Sequence, residues 1–224
     1  MRDALAWLLL QTDDQGLAPF RGLSVRESWS REVPFRRMRV RIKREIIRMD
    51  HLNVVPAAGR APAVDAATLA RWLDHGQDDS GRPLVTLDTR NRFEVDEGTF
   101  EGAIDWDLRK FSDFPRALDE HANELEGKTV VSFCTGGIRC EKAVLLMRSI
   151  GLTHVYQLDG GILKYFESME GAPHWQGQCV VFDERGCLDA GLAAQEPAGP
   201  AWRAGPAGRA GRAGPRVRAA RRPA

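Results

Sequence analysis

Residues 130–143 read Val-Val-Ser-Phe-Cys-Thr-Gly-Gly-Ile-Arg-Cys-Glu-Lys-Ala, and this run restricts the fold more than any other part of the chain. Residues 130–133 form a short buried strand, a loop with two adjacent glycines follows, and a helix starts near Cys140. A strand that runs through a glycine loop into a helix is the repeating unit of a parallel sheet, and such sheets bind ligands at the carboxyl ends of their strands. Glycines at 136 and 137 allow positive φ and close backbone approach. Successive N–H groups then converge at a helix N-terminus and favour an anion. A thiolate there is stabilised, so Cys134 reads as a nucleophile with a lowered pKa. Arg139 adds a fixed positive charge, and Thr135, Gly136, Gly137, Ile138, Arg139 and Cys140 form the expected cradle. A buried cysteine beside an ordinary turn accounts for the strand, but not for paired glycines followed by an arginine.

The surrounding sequence repeats the same alternation. Asp65 caps a helix through Leu69, Trp72 and Leu73; residues 84–87 form a strand; residues 114–125 form a helix; residues 141–150 form a helix stopped by Gly151; and residues 155–158 form a third strand. This order predicts a parallel sheet with helices on both faces over residues 63–183. Ahead of it, residues 54–62 (VVPAAGRAP) read as a linker. Residues 35–43 alternate, with Met38, Val40 and Ile42 on one side and Arg37, Arg39, Arg41 and Lys43 on the other, which predicts a half-buried strand with a basic face. Residues 184–224 are expected to be a disordered basic tail, since from about Leu192 they are mostly Ala, Gly, Pro and Arg.

Composition excludes several classes. With 224 residues and 43% hydrophobic content, the chain can build a full core. No apolar run is long enough to span a bilayer. The short apolar stretch 4–10 lacks the pattern of a signal peptide, so a cytoplasmic location without membrane contact is expected. The four cysteines form no CxxC pair, and His154 and His174 have no partner at ligand spacing, so no metal site is expected.

Loop length separates the remaining chemistries. Cysteine phosphatases use C-x5-R, whereas Arg139 gives C-x4-R here, a cradle for a smaller group such as the terminal sulfur of a persulfide. With Asp88-Thr89-Arg90 and Gly102-Ala103, the loop resembles the rhodanese superfamily. Asp88-Thr89-Arg90-Asn91, Gly98-Thr99-Phe100, the run from Cys134 to Ala143, Gly160-Gly161-Ile162 and Val181-Phe182-Asp183-Glu184-Arg185 together resemble the rhodanese-related tRNA uridine hydroxylases. These form 5-hydroxyuridine at the wobble position.

The resemblance implies an α/β fold, a rhodanese-like parallel sheet flanked by helices. A partial acylphosphatase-like α+β fragment over residues 1–53 would precede it. Family members also commonly end in a cysteine-rich segment, where this chain carries the Ala/Gly/Pro/Arg tail. The resemblance further implies Cys134 as the catalytic cysteine, molecular oxygen as co-substrate, tRNA as partner, and a sulfur or electron donor; no cofactor motif is identified. It makes tRNA phosphates a candidate ligand for Arg37, Arg39, Arg41 and Lys43. Sulfur transfer from thiosulfate, or a non-catalytic binding module, are the alternatives. Cys140 is either a partner resolving a persulfide or a small core residue. Asp88 either orients the loop or caps a turn, and Arg90 either holds an anionic substrate or pairs with Glu94.

Overall fold

The computed structural model describes residues 2–21, 42–56 and 59–197. Contacts divide the chain into two units, residues 1–36 and 37–224. In the first, α1 (Arg2–Leu9) is followed by a turn in which Asp13 Oδ1 accepts the N–H groups of Gln15 and Leu17.

The second unit holds β1 (Ala63–Val64), α2 (Ala66–His75), β2 (Leu84–Asp88), α3 (Arg92–Val95), β3 (Gly98–Phe100), β4 (Ile104–Asp105), α4 (Phe114–His121), β5 (Thr129–Phe133), α5 (Ile138–Ser149), β6 (Val155–Leu158), α6 (Gly161–Ser168), β7 (Trp175–Gly177), β8 (Cys179–Val180), β9 (Cys187–Leu188) and β10 (Ala194–Gln195). Strands β1-β6-β5-β2-β4, in that order, form a parallel sheet. The predicted strands and helices of the sheet domain are present. Asp65 caps α2 by accepting the Thr68 N–H at 2.7 Å.

Period-two alternation sends side chains of one strand to opposite faces. Val130 packs with Leu118, Val144 and Met147 on one face, while Val131 and Phe133 pack with Leu69, Ile162 and Tyr165 on the other. On the second face Phe100 stands edge-on to Phe133 and Tyr165 at 4.9 Å and to Trp175 at 5.2 Å. The Gly98-Thr99-Phe100 motif therefore supplies the centre of this aromatic cluster.

Several expectations change. Helix α5 starts at Ile138 rather than near Cys140, because Gly137 takes φ +88° and turns the chain into the helix at once. Arg139 and Cys140 thus lie on the first helical turn. Arg37, Arg39 and Arg41 lie outside the described residues. Ile42 and Lys43 are irregular and exposed, so the inward face assigned to Ile42 is not realised there. The linker is not a free spacer throughout: Ala61 is buried, its N–H donates to Glu141, and the Pro62 carbonyl accepts the Gln157 N–H. Residues 184–197, expected to be disordered, are ordered. Strands β8, β9 and β10 form an antiparallel meander that buries Cys187 and Leu188, and Asp189 Oδ1 holds its last turn through the N–H groups of Gly191 and Ala193.

Among the described residues no helix is long and apolar enough to cross a membrane, and no cluster of His, Cys, Asp and Glu has the arrangement of a metal site.

Candidate active site

Cys134 follows the last residue of β5, the central strand, and its side chain is 2% exposed. Its sulfur accepts the Gly137 N–H at 3.1 Å and lies within reach of the N–H groups of Arg139 and Cys140. These donors are among the unpaired amides of the first turn of α5.

The convergence has a cause on the opposite side of the loop. The Cys134 and Thr135 carbonyls turn away and accept the N–H groups of Ile162 and Leu163 at 3.0 and 3.2 Å. With the carbonyls held by α6, the amide edge faces inward. This contact requires glycine at 161, where φ is +67° and a Cβ would lie 2.4 Å from the Cys134 carbonyl oxygen and 2.8 Å from the Gly137 nitrogen.

The Cys134 thiol is lowered to about 6. The main cause is the Cys140 thiol, which hydrogen-bonds to the thiolate; burial opposes the shift, and the Arg139 charge and the two helix amides add to it. Cys140 is pushed far the other way by burial and by the neighbouring thiolate. Cys179 and Cys187 are raised to about 12 and about 11, in both cases chiefly by burial, so Cys134 is the thiol that ionises most readily.

Arg139 is fixed by a residue to which the sequence reading gave no role in the site. Glu94, fully buried at α3, takes both guanidinium nitrogens at 2.6 and 2.7 Å. Glu94 also accepts the Asn91 N–H at 3.0 Å and the Thr135 hydroxyl at 3.5 Å. The signal available for Glu94 was the Asn91-x-x-Glu94 capping box. On the outer side Phe182, from the Val181-to-Arg185 motif, lies 6.0 Å from the Arg139 guanidinium.

Asp88 and Arg90 do not reach the cradle. Arg90 is fully buried and donates to Asp88, to the Glu94 carbonyl at 3.2 Å and to the Gly98 carbonyl at 2.5 Å. Its donors are spent on protein groups, so it does not hold a substrate anion and its ion partner is Asp88 rather than the Glu94 carboxylate. Asp88 accepts the Arg90 N–H and the Thr99 hydroxyl, which makes it a turn cap and not a ligand of the loop amides. Lys43 is exposed on the irregular segment.

A cavity of about 640 Å³ opens beside the loop, within the usual size range of small-molecule sites, about 300–1,000 Å³. Gly136, Gly137 and Ile138 form one wall, and Arg44, Ile46, Leu52, Val55 and Arg60 form the facing one. Lys142, on α5, pairs with Glu45 at 2.7 Å and ties the facing wall to the helix.

The rhodanese-like domain family model matches residues 65–168. The chain is 64% identical to the tRNA uridine(34) hydroxylase of Bordetella petrii, over 79% of this chain and 69% of that protein. It is 62% identical to that of Variovorax paradoxus, over 79% and 66%, and 63% identical to that of Bordetella avium, over 78% and 72%. The matches thus span about two thirds of the relatives' own length. The solution structure of a rhodanese-like domain from Anabaena is 24% identical, covers 52% of this chain and 79% of that one, and superposes with a TM-score of 0.41. By identity and coverage against the curated relatives, the chain belongs to the tRNA uridine(34) hydroxylase family.

Proposed function

We propose that this protein hydroxylates the wobble uridine of tRNA to 5-hydroxyuridine, with molecular oxygen as co-substrate and the Cys134 thiolate as the essential group. The observation that carries the reading is a buried cysteine whose sulfur accepts an amide of the glycine loop, beside a cavity of about 640 Å³. Family membership supplies the reaction; the geometry supplies the residue. The cradle amides hold the negative charge on the sulfur, and Arg139, locked by Glu94, adds a charge that cannot swing away. Arg44 and Arg60, on the cavity wall, and Lys43 and the arginines at 37, 39 and 41 along the preceding chain, are the candidate phosphate contacts.

Sulfur transfer is the second reading, favoured by one feature: the C-x4-R loop suits a persulfide, and the same thiolate would carry it. The test expresses the full chain in cells lacking their own wobble-uridine hydroxylases and examines tRNA nucleosides by mass spectrometry. A gain of one oxygen on uridine that disappears in Cys134→Ala is the expected result. No gain, together with thiosulfate:cyanide activity of the purified protein, replaces hydroxylation with sulfur transfer.

A further inference from the structure

Cys140 is fully buried, yet it belongs to neither of the two apolar clusters that fill the faces of the sheet. Its helix neighbours Ala143, Val144 and Met147 do belong. Its sulfur lies 3.4 Å from the Thr89 hydroxyl, which itself donates to the carbonyl of Phe133, the residue before Cys134, and it stands on the turn of α5 that follows Gly137, whose amide donates to the Cys134 sulfur. A cysteine serving only as a small core residue has apolar neighbours. This one has a hydroxyl on one side and a thiolate on the other.

The electron count of the proposed reaction gives that placement a use. Moving one oxygen atom from O2 to C5 of uridine and reducing the other to water takes two electrons and two protons from a donor. Two facing thiols that close to a disulfide release that number.

We propose that Cys140 is the resolving thiol of the hydroxylation cycle, an inference that rests on the hydroxylation reading above. In the first step uridine, O2 and the Cys134 thiol give 5-hydroxyuridine and Cys134 sulfenic acid. One oxygen atom replaces the C5 hydrogen with a hydroxyl, the O–O bond breaks, and the second oxygen stays on sulfur, which is oxidised by two electrons. In the second step the Cys140 sulfur attacks the Cys134 sulfur. An S–S bond forms, the S–O bond breaks, and the Cys140 proton leaves with the hydroxide as water. An external dithiol then reduces the disulfide by exchange and is itself oxidised.

The test is a single turnover of the pre-reduced full chain with air and tRNA from cells lacking the modification, with no reductant added. The expected result is one 5-hydroxyuridine per chain, loss of two of the four thiols, and a peptide joining Cys134 to Cys140. In Cys140→Ser the first turnover is slowed, because the thiol that stabilises the Cys134 thiolate is gone, but each product formed leaves Cys134 as a sulfenic acid trapped by dimedone, and the steady-state rate with a dithiol falls at least tenfold below that variant's own first-turnover rate. Trapping of sulfenic acid is a signature that a merely structural role of Cys140 does not produce. Should Cys140→Ser fail to fold, Cys140→Ala is read the same way, and the wild-type thiol count decides alone. Product formed with all four thiols intact overturns this inference and leaves the hydroxylation reading standing. So does a disulfide that forms equally without tRNA. Absence of product from wild type even with excess dithiol removes both.

Discussion

At Cys134, two neighbours act together against burial. The Cys140 thiol and the Arg139 charge stabilise the thiolate, while burial opposes it. Alkylation by iodoacetamide, followed by peptide mass spectrometry, should therefore show Cys134 reacting with a midpoint near pH 6, with thiolate present above and lost below. Arg139→Met removes the charge and moves the midpoint up; each unit of rise leaves about tenfold less thiolate at a pH below it. Glu94→Ala leaves the Arg139 guanidinium buried without its counter-charge. Losing one partner of such a buried pair costs about 3–5 kcal/mol, to be read as a fall in the urea midpoint, with Cys134 reactivity also disordered because Thr135 and Arg139 lose their shared anchor.

Between elements, the decisive contact is that of α6 with the cysteine loop. Two α6 amides bind the loop carbonyls, and Gly161 is the residue that lets the backbones meet. Gly161→Ala must displace the Cys134 carbonyl or the loop amides, both backbone groups with nowhere to go. The expected outcome is an upward move of the Cys134 midpoint together with loss of stability. Gly76→Ala at the end of α2 is the comparison: φ there is +66° but a Cβ meets nothing within 4 Å. It should cost only the backbone strain of about 1–2 kcal/mol and leave Cys134 titration unchanged. The pair of variants separates strain from loss of the cradle. The same contact explains why Gly160-Gly161-Ile162 accompanies the cysteine motif although about 25 positions separate them, an offset that no local pattern relates.

At the scale of the second unit, the segment before β1 belongs to the body of the domain. Met49 is fully buried in the cluster that also holds Leu118 and Met147, Ile47 and Val54 pack against that cluster, and Glu45 pairs with Lys142. Met49→Ala should lower stability by about 2–5 kcal/mol, measured by denaturant unfolding, and loosen the wall of the cavity that residues 44–60 supply. The ordered meander over residues 184–197 extends the domain on the other side and sets Phe182 beside Arg139. Both flanks therefore shape the surroundings of the loop, so changes in either should alter substrate binding more than the state of the thiolate.

The amino-acid sequence by itself determined what depends on neighbours in the chain. Buried strands, the Asp65 cap, the glycine loop and the place of Cys134 at the end of a strand all follow from local pattern and spacing, because φ/ψ preference, alternation and helix-end amides act over a few residues. The reading went astray where local preference was weak or a distant partner decided. The basic alternation near residue 43 does not continue as a strand at Ile42 and Lys43, and the residues after 183 gain order by pairing β9 with β8 and β10. Only the tertiary structure decided which charge stands beside the thiol. Arg90 and Arg139 look alike in sequence, yet one is spent on Asp88 in the interior and the other stands beside the thiolate, held by Glu94. It also decided which cysteine faces Cys134. A buried charge or thiol takes its properties from groups brought near by folding, and those groups come from strands, helices and loops that the chain itself keeps far apart.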